Sequence, residues 1–94
     1  ANQAQNIGLV HEVSSAEDLD AKVDEIVQVL LLGGPEAQAS SKQLIQLVDQ
    51  QELNEALLLE TAQHIAHVRQ GAEAKNGLTA FLNKQSPDWI KTAV

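Results

Sequence analysis

The stretch SSAEDLDAKVDEIVQVLLLGGP, residues 14–35, decides the fold class of this 94-residue chain. Ser14 together with Glu17 forms a capping box, which predicts the start of a helix. The apolar residues that follow recur at helical spacing. The pair Gly33-Gly34 predicts the end of that helix, with one of the two glycines in the left-handed conformation. We therefore expect a helix over residues 14–33.

The rest of the chain carries the same helical pattern. The apolar spacing predicts three further helices, over residues 35–50, 52–70 and 73–85. Ala and Leu occur thirteen times each and Gln eleven times, and all three residues favour helices. Residues 1–13 are a lead-in, and their second half predicts only a weak extended segment. The sequence thus predicts an all-α protein with four helices and no sheet, in a single helical domain over residues 1–94.

Composition and charge exclude several classes of function. Thirteen acidic residues against six basic ones give a net charge of −7, which argues against nucleic acid and against an anionic membrane surface as partners. The chain has no cysteine, so disulfides and thiolate metal sites are excluded. The longest apolar run, Val29 to Leu32, is too short for a membrane span, and no signal segment opens the chain, so we expect a cytoplasmic protein. The lack of any Met indicates a processed chain or a fragment.

The residues alone point to no complete catalytic or metal site. Glu60, His64 and His67 share one face of the helix predicted over residues 52–70, and two imidazoles with a carboxylate could hold zinc. A fourth ligand is not evident, so a solvated polar stripe is the preferred interpretation. No serine lies at a recognisable spacing from a base. We therefore predict no catalytic residue, no metal and no cofactor within this chain.

Five groups of residues, in order along the chain, resemble the crotonase family of enoyl-CoA hydratases and isomerases. They are Ile7-Gly8-Leu9-Val10-His11-Glu12-Val13, Ser15-Ala16-Glu17-Asp18-Leu19-Asp20, Gly34-Pro35-Glu36-Ala37 with Ser41-Lys42, Glu60-Thr61-Ala62 with Ile65-Ala66 and Arg69, and Gly77-Leu78-Thr79-Ala80-Phe81-Leu82-Asn83-Lys84 with Pro87 and Trp89. The fourth group is most similar to methylglutaconyl-CoA hydratase-like members. The resemblance implies an all-α, four-helix C-terminal segment of a crotonase-like fold, belonging to a larger enzyme whose catalytic core lies upstream.

The resemblance also implies a function and a binding site. The parent enzyme would be a lyase that hydrates a 2-enoyl-CoA thioester, and this segment would contribute contacts within a homo-oligomer. Phe81 matches the family's aromatic residue near the adenine of CoA, and Lys84 matches its base near the CoA phosphates. The family's usual Arg after that Lys is Gln85 here, which weakens the match at the phosphates. The segment by itself is expected to be inactive, because no catalytic residue of the family maps onto it.

Structural alternatives stand beside each of these assignments. Phe81 lies at helical spacing with Leu78 and Leu82, so packing in the core would explain it without a ligand. Lys84 at a helix C-terminus is favourable for the helix dipole alone, and Trp89 would serve to dock the C-terminal tail. The alternative function is a free-standing helical module that binds a protein partner and has no catalytic activity. The length of the encoding reading frame separates this alternative from the enzyme hypothesis.

Overall fold

A computed structural model describes the backbone of residues 1–92 and the side chains of residues 1–90. All regular secondary structure in this part of the chain is helix, without a strand. The helices are α1 (Asn2–Asn6), α2 (Leu19–Leu31), α3 (Pro35–Asp49), α4 (Glu55–Gln70), α5 (Ala72–Leu82) and α6 (Asp88–Thr92). The chain divides into two compact units, one over Ala1–Leu30 and the other from Leu31 onward. No described helix is both long enough and apolar enough to cross a membrane.

The first unit contains α1 within the predicted lead-in. Its end is closed by Gly8, whose φ is +80°, while the Gly8 and Leu9 N–H groups donate to the carbonyls of Gln5 (3.0 Å) and Ala4 (2.9 Å). This pair of bonds is a Schellman motif, in which glycine suits the left-handed position because it has no Cβ. The chain then runs through a turn rather than the extended segment that the sequence predicts for residues 7–13.

The second helix is shorter than the predicted range 14–33. The Asp18 N–H donates to Ser15 Oγ (3.1 Å) and the Ser15 hydroxyl donates to Asp18 Oδ2 (2.7 Å), so Ser15 rather than Ser14 makes the local bonds ahead of α2. A turn over residues 16–18 follows, and the helix begins only at Leu19. The capping box predicted at Ser14 is therefore wrong, because this reciprocal pair competes with it one residue later.

The junction between α2 and α3 also differs from the prediction. Neither Gly33 nor Gly34 has a positive φ. Gly34 is instead the N-cap of α3, with φ −64° and ψ 128°, an extended conformation that the following Pro35 favours. Pro35 takes the first position of α3 as predicted. Glycine at the N-cap has no side chain to accept the helix's free N–H groups, and the structure supplies an acceptor from elsewhere.

That acceptor is the carboxylate of Glu73, in the first turn of α5. Its Oε2 accepts the Glu36 N–H (2.9 Å) and its Oε1 accepts the Ala37 N–H (2.8 Å). These are the donors that an N-cap side chain normally satisfies, and the negative charge also suits the positive end of the α3 dipole. A Cβ on Gly34 would overlap Glu73 Oε1, with Cδ only 2.8 Å away. The lack of a side chain at Gly34 thus leaves the space that the carboxylate fills.

Glu73→Ala is expected to destabilise the unit that contains α3, α4 and α5 by about 1–2 kcal/mol, because two N–H groups lose their acceptor. Urea denaturation followed by circular dichroism measures the change. Glu52→Ala is the matched control, since Glu52 is exposed and makes no such contact, and it should shift the free energy of unfolding by less than about 0.5 kcal/mol. Equal effects of the two substitutions would contradict the capping role.

Helices α3, α4 and α5 pack on one another in the second unit. Their contact buries Leu57 and Ala80, which are 3% and 8% exposed. The start of α4 is fixed by Asn54, whose Oδ1 accepts the Leu57 N–H (2.9 Å). Because that bond lies in the same turn as Leu57, the cap also positions the most deeply buried large side chain of the described residues.

Hydrogen bonds made by side chains hold the short helix α6 against the rest of this unit. Asn76 Nδ2 donates to Asp88 Oδ2 (2.7 Å), and the Asp88 N–H donates to Asn76 Oδ1 (2.9 Å). The Trp89 indole N–H donates to the Leu32 carbonyl (3.1 Å). The indole also lies against Gly77, where a Cβ would be 2.8 Å from the ring. The expected docking of the C-terminal tail by Trp89 is thereby confirmed.

Candidate functional site

The C-terminal half of α5 presents an apolar surface that is largely exposed. Leu78, Phe81 and Leu82, here called the α5 patch, lie at i, i+3 and i+4 and so share one face of the helix. They are 53%, 79% and 77% exposed. Ala80, in contrast, is buried, and Gly77 lies against the Trp89 ring. Core packing within this chain is therefore the wrong explanation for Phe81, because the helix turns that face outward.

Lys84 lies two positions after the last residue of the α5 patch, in a left-handed backbone conformation. Its φ is +54°, and among the described residues it is the only non-glycine residue with a positive φ. The Lys84 N–H donates to the Phe81 carbonyl (3.1 Å) and the Gln85 N–H donates to the Ala80 carbonyl (2.8 Å). The end of α5 is thus a Schellman motif of the same kind as the end of α1, with Lys84 in the position that Gly8 holds there.

The left-handed turn places Lys84, which is exposed, just beyond the carbonyl end of α5 and three positions after the exposed Phe81 ring. A ring face can stack on a planar base, and an ammonium can meet a phosphate as a point charge. Phe81 and Lys84, the two candidate CoA-binding residues, are therefore both exposed at the same end of α5. Sequence reasoning missed the positive φ of Lys84, because the residue at this position of a Schellman motif is usually glycine.

A second polar contact lies between α3 and α4. Ser40 Oγ and His64 Nε2 are 2.7 Å apart and half-buried. The sequence did not show this pair because 24 positions separate the two residues, and only the packing of α3 on α4 brings them together. The described residues hold no group of three or more His, Cys, Asp or Glu side chains placed to bind a metal ion. The structure thus does not assemble the zinc site considered for Glu60, His64 and His67.

Comparisons with known proteins identify one solved structure as a guide to the fold. Neither the protein-family models nor the curated proteins give a match. A crystal structure described as an enoyl-CoA hydratase/isomerase from Marinobacter aquaeolei matches with a TM-score of 0.84 and 32% sequence identity, over 96% of this chain. This chain therefore has the fold of a helical segment of a crotonase-like protein. The predicted fold class, a helical C-terminal segment of that fold, is confirmed.

The same comparison limits what can be transferred. The matched region is 34% of the neighbour's chain, so this chain spans about a third of the length of the protein it resembles. The four long helices α2–α5 correspond to the four predicted ones, and α1 and α6 are short additions at either end. The similarity therefore supports the resemblance to enoyl-CoA hydratases and isomerases, at the level of fold and of a shared segment.

Proposed function

We propose that this chain is the C-terminal helical part of an enoyl-CoA hydratase/isomerase-family enzyme. The observation that carries the proposal is the match to such an enzyme over 96% of this chain but only 34% of the neighbour. We infer that a segment that matches a third of that chain at 32% identity has the role that this third has in the larger protein. The catalytic groups belong to the other part of that protein, and this segment by itself is inactive.

The reaction that we propose for the parent enzyme is the addition of water to a 2-enoyl-CoA thioester. Such chemistry requires hydrogen-bond donors that stabilise the thioester enolate and a carboxylate that assists the water. The fourth group of matched residues, around Glu60 and Arg69, favours the methylglutaconyl-CoA hydratase-like members and hence a branched, unsaturated acyl group. We propose a cytoplasmic homo-oligomer, without a resident cofactor.

For the segment itself we propose CoA binding by Phe81 and Lys84. The exposed Phe81 ring offers a face for the adenine, and Lys84 offers a charge for the phosphates. Gln85 removes one positive charge that the family usually has next to Lys84, so Lys84 carries more of the phosphate attraction here. The exposure of Phe81 supports this proposal, because a ring that is 79% accessible is free to meet a ligand.

Substitutions at Lys84 in the full-length parent enzyme test the assignment. Lys84→Gly is expected to raise the KM for acyl-CoA about three- to tenfold, with little change in kcat, because an exposed ammonium–phosphate contact contributes about 0.5–2 kcal/mol. The same change is expected to stabilise the fold by about 1 kcal/mol, because glycine relieves the left-handed strain at φ +54°. Binding and stability thus move in opposite directions, which a purely structural Lys84 would not produce.

Lys84→Arg is the control, since it retains the charge and the strained backbone. Its KM should stay near that of the unchanged enzyme, and both should rise as salt screens the phosphate contact. Lys84→Gly should lose most of that salt dependence. An unchanged KM in Lys84→Gly at low salt would show that Lys84 only terminates α5, and the CoA assignment at this residue would then be wrong.

A second candidate function is a free-standing module that binds a protein partner through its apolar surfaces. The observation in its favour is the exposure of the α5 patch together with Leu58 and Leu59, which are 58% and 60% exposed. Determining the encoding reading frame separates the two candidates. A reading frame that extends upstream by the length of a catalytic domain supports the enzyme hypothesis. A reading frame that starts immediately before Ala1 supports the binding module instead.

A further inference from the structure

Asn76 and Gly77 form an Asn-Gly pair in the middle of α5. Of the five asparagines in the chain, only Asn76 is followed by glycine. Asparagine is a chemically labile residue, and in an open backbone it loses its amide fastest before glycine, which has no side chain to hinder attack by its own nitrogen. The chain therefore carries one especially labile amide, and it lies inside a helix of the second unit.

The docking of Trp89 explains why glycine occupies position 77. A Cβ at Gly77 would lie 2.8 Å from the Trp89 ring, which is closer than a Cβ can approach unless something shifts. Glycine inside a helix also weakens that helix by about 0.5–1 kcal/mol relative to alanine, so local opening of α5 costs less here. The contact that docks α6 thus requires the residue that makes Asn76 labile.

Two features of the fold oppose the reaction of the Asn76 amide. The first is α5 itself, since the Gly77 nitrogen must leave the regular helical backbone before it can reach the Asn76 side chain. The second is a reciprocal pair of hydrogen bonds to α6. Asn76 Nδ2 donates to Asp88 Oδ2 (2.7 Å), and the Asp88 N–H donates to Asn76 Oδ1 (2.9 Å). Both ends of the amide are engaged, so the reaction requires these bonds to open.

We propose that Asn76 is a site of spontaneous deamidation which the fold protects while α6 is docked, and that its conversion releases α6. When the two helices open locally, the Gly77 nitrogen bonds to Asn76 Cγ and closes a five-membered imide. The bond from Cγ to Nδ2 breaks, and ammonia leaves with the proton of the Gly77 N–H. Water then opens the imide to a carboxylic acid, on a normal or an isoaspartyl backbone, and the acid gives its proton to the ammonia.

The new carboxylate does not reproduce the bonds that the amide makes. An oxygen would replace Nδ2, so two carboxylate oxygens would face each other at the present 2.7 Å between Asn76 and Asp88. Ionised carboxylates only accept hydrogen bonds, and like charges at this distance repel. An isoaspartyl product would also add one carbon to the backbone of α5 and interrupt the helix. Either product opposes the docking of α6.

Peptide mapping by mass spectrometry, after incubation of the full-length protein in mildly alkaline buffer, tests the protection. Asn76 should convert at least about tenfold faster in urea than in the folded protein, because local opening then no longer limits the reaction. Asp88→Ala removes the acceptor of Nδ2 and should speed conversion in the folded protein about fivefold. Asp88→Asn is the conservative variant, since its side-chain oxygen still accepts, and its rate should stay near that of the unchanged protein. Equal rates in urea and in buffer, or an unchanged rate in Asp88→Ala, would overturn the protection by the fold.

Hydrogen exchange measures the release of α6. Asn76→Asp reproduces the product, and amides in the peptide that contains Asp88 and Trp89 should exchange about tenfold faster. Asn83→Asp is the matched control, because Asn83 is exposed and undergoes the same change of charge outside the bonded pair, and exchange in that peptide should stay the same. The double variant Asn76→Asp with Asp88→Asn swaps the two side chains, so an amide again faces a carboxylate and slow exchange should return. Fast exchange in the double variant, or unchanged exchange in Asn76→Asp, would overturn the release of α6.

Discussion

Leu57→Ala is expected to unfold most of the unit formed by α3, α4 and α5. Leu57 is 3% exposed and is the most deeply buried large side chain among the described residues. Replacing a buried leucine by alanine costs about 2–5 kcal/mol, since both the transfer energy and the cavity contribute. A unit with so few buried side chains has little stability in reserve. The helical signal at 222 nm should therefore fall sharply at 25 °C, and the urea midpoint should drop or vanish.

Leu58→Ala is the matched control for this experiment. Leu58 is the next residue of α4 and undergoes the same substitution, but it is 58% exposed. Its replacement should change the free energy of unfolding by less than about 0.5 kcal/mol. Comparable losses for Leu57→Ala and Leu58→Ala would show that the described packing of α4 is not the packing that stabilises the protein.

The sequence predicted the helices of the second unit more closely than those of the first. Pro35 fixes the first residue of α3, and this local signal does not depend on the rest of the fold. The start of α2 depends on which of two adjacent serines, Ser14 or Ser15, makes the local hydrogen bonds ahead of the helix. The side chain of Asp18 makes that choice through its reciprocal bonds with Ser15. Periodicity contains no information on this competition.

Periodicity also does not tell which apolar face is covered. The apolar pattern of the helix predicted over residues 52–70 makes Leu53, Leu57 and Ile65 candidates for burial. The structure buries Leu57, whereas Leu53 lies ahead of α4 and is 78% exposed, and Ile65 is 54% exposed. Helical spacing finds the candidates for burial, but the positions of the neighbouring helices decide among them. The same is true of Phe81, whose exposure follows from which side of α5 meets α3 and α4.

Contacts between distant residues were beyond sequence reasoning altogether. The Glu73 carboxylate caps α3 from 37 positions away, and the sequence showed only that Gly34 has no side chain for this purpose. An acidic residue in the first turn of α5 is favourable for that helix's own dipole, so it gave no sign of a second role. The candidate CoA residues, in contrast, came from the resemblance at residues 77–84, where a contiguous motif is enough.

Self-association of the isolated 94-residue chain is the second large effect that we expect. Each side chain of the α5 patch that becomes buried contributes about 1.5–3 kcal/mol. Two copies that cover each other's patch would bury six such side chains, against an association cost of about 4–15 kcal/mol. The gain from burial exceeds this cost unless the gain lies at the low end of its range and the cost at the high end of its own. Sedimentation equilibrium should therefore show an average mass that rises with concentration above that of the 10.1 kDa monomer.

The double variant Phe81→Ser and Leu82→Ser should reduce this association strongly, because it removes the two most exposed members of the α5 patch without touching the buried Ala80. Its helical content should stay the same, since neither side chain packs inside the chain. Ile45→Ser is the matched control: Ile45 is 68% exposed but lies on α3, outside the patch, and its replacement should leave the average mass unchanged. If Ile45→Ser reduces the average mass as much as the double variant does, the association is a general effect of exposed apolar surface. A monomer mass at every concentration would show that the net charge of −7 outweighs the apolar attraction between copies.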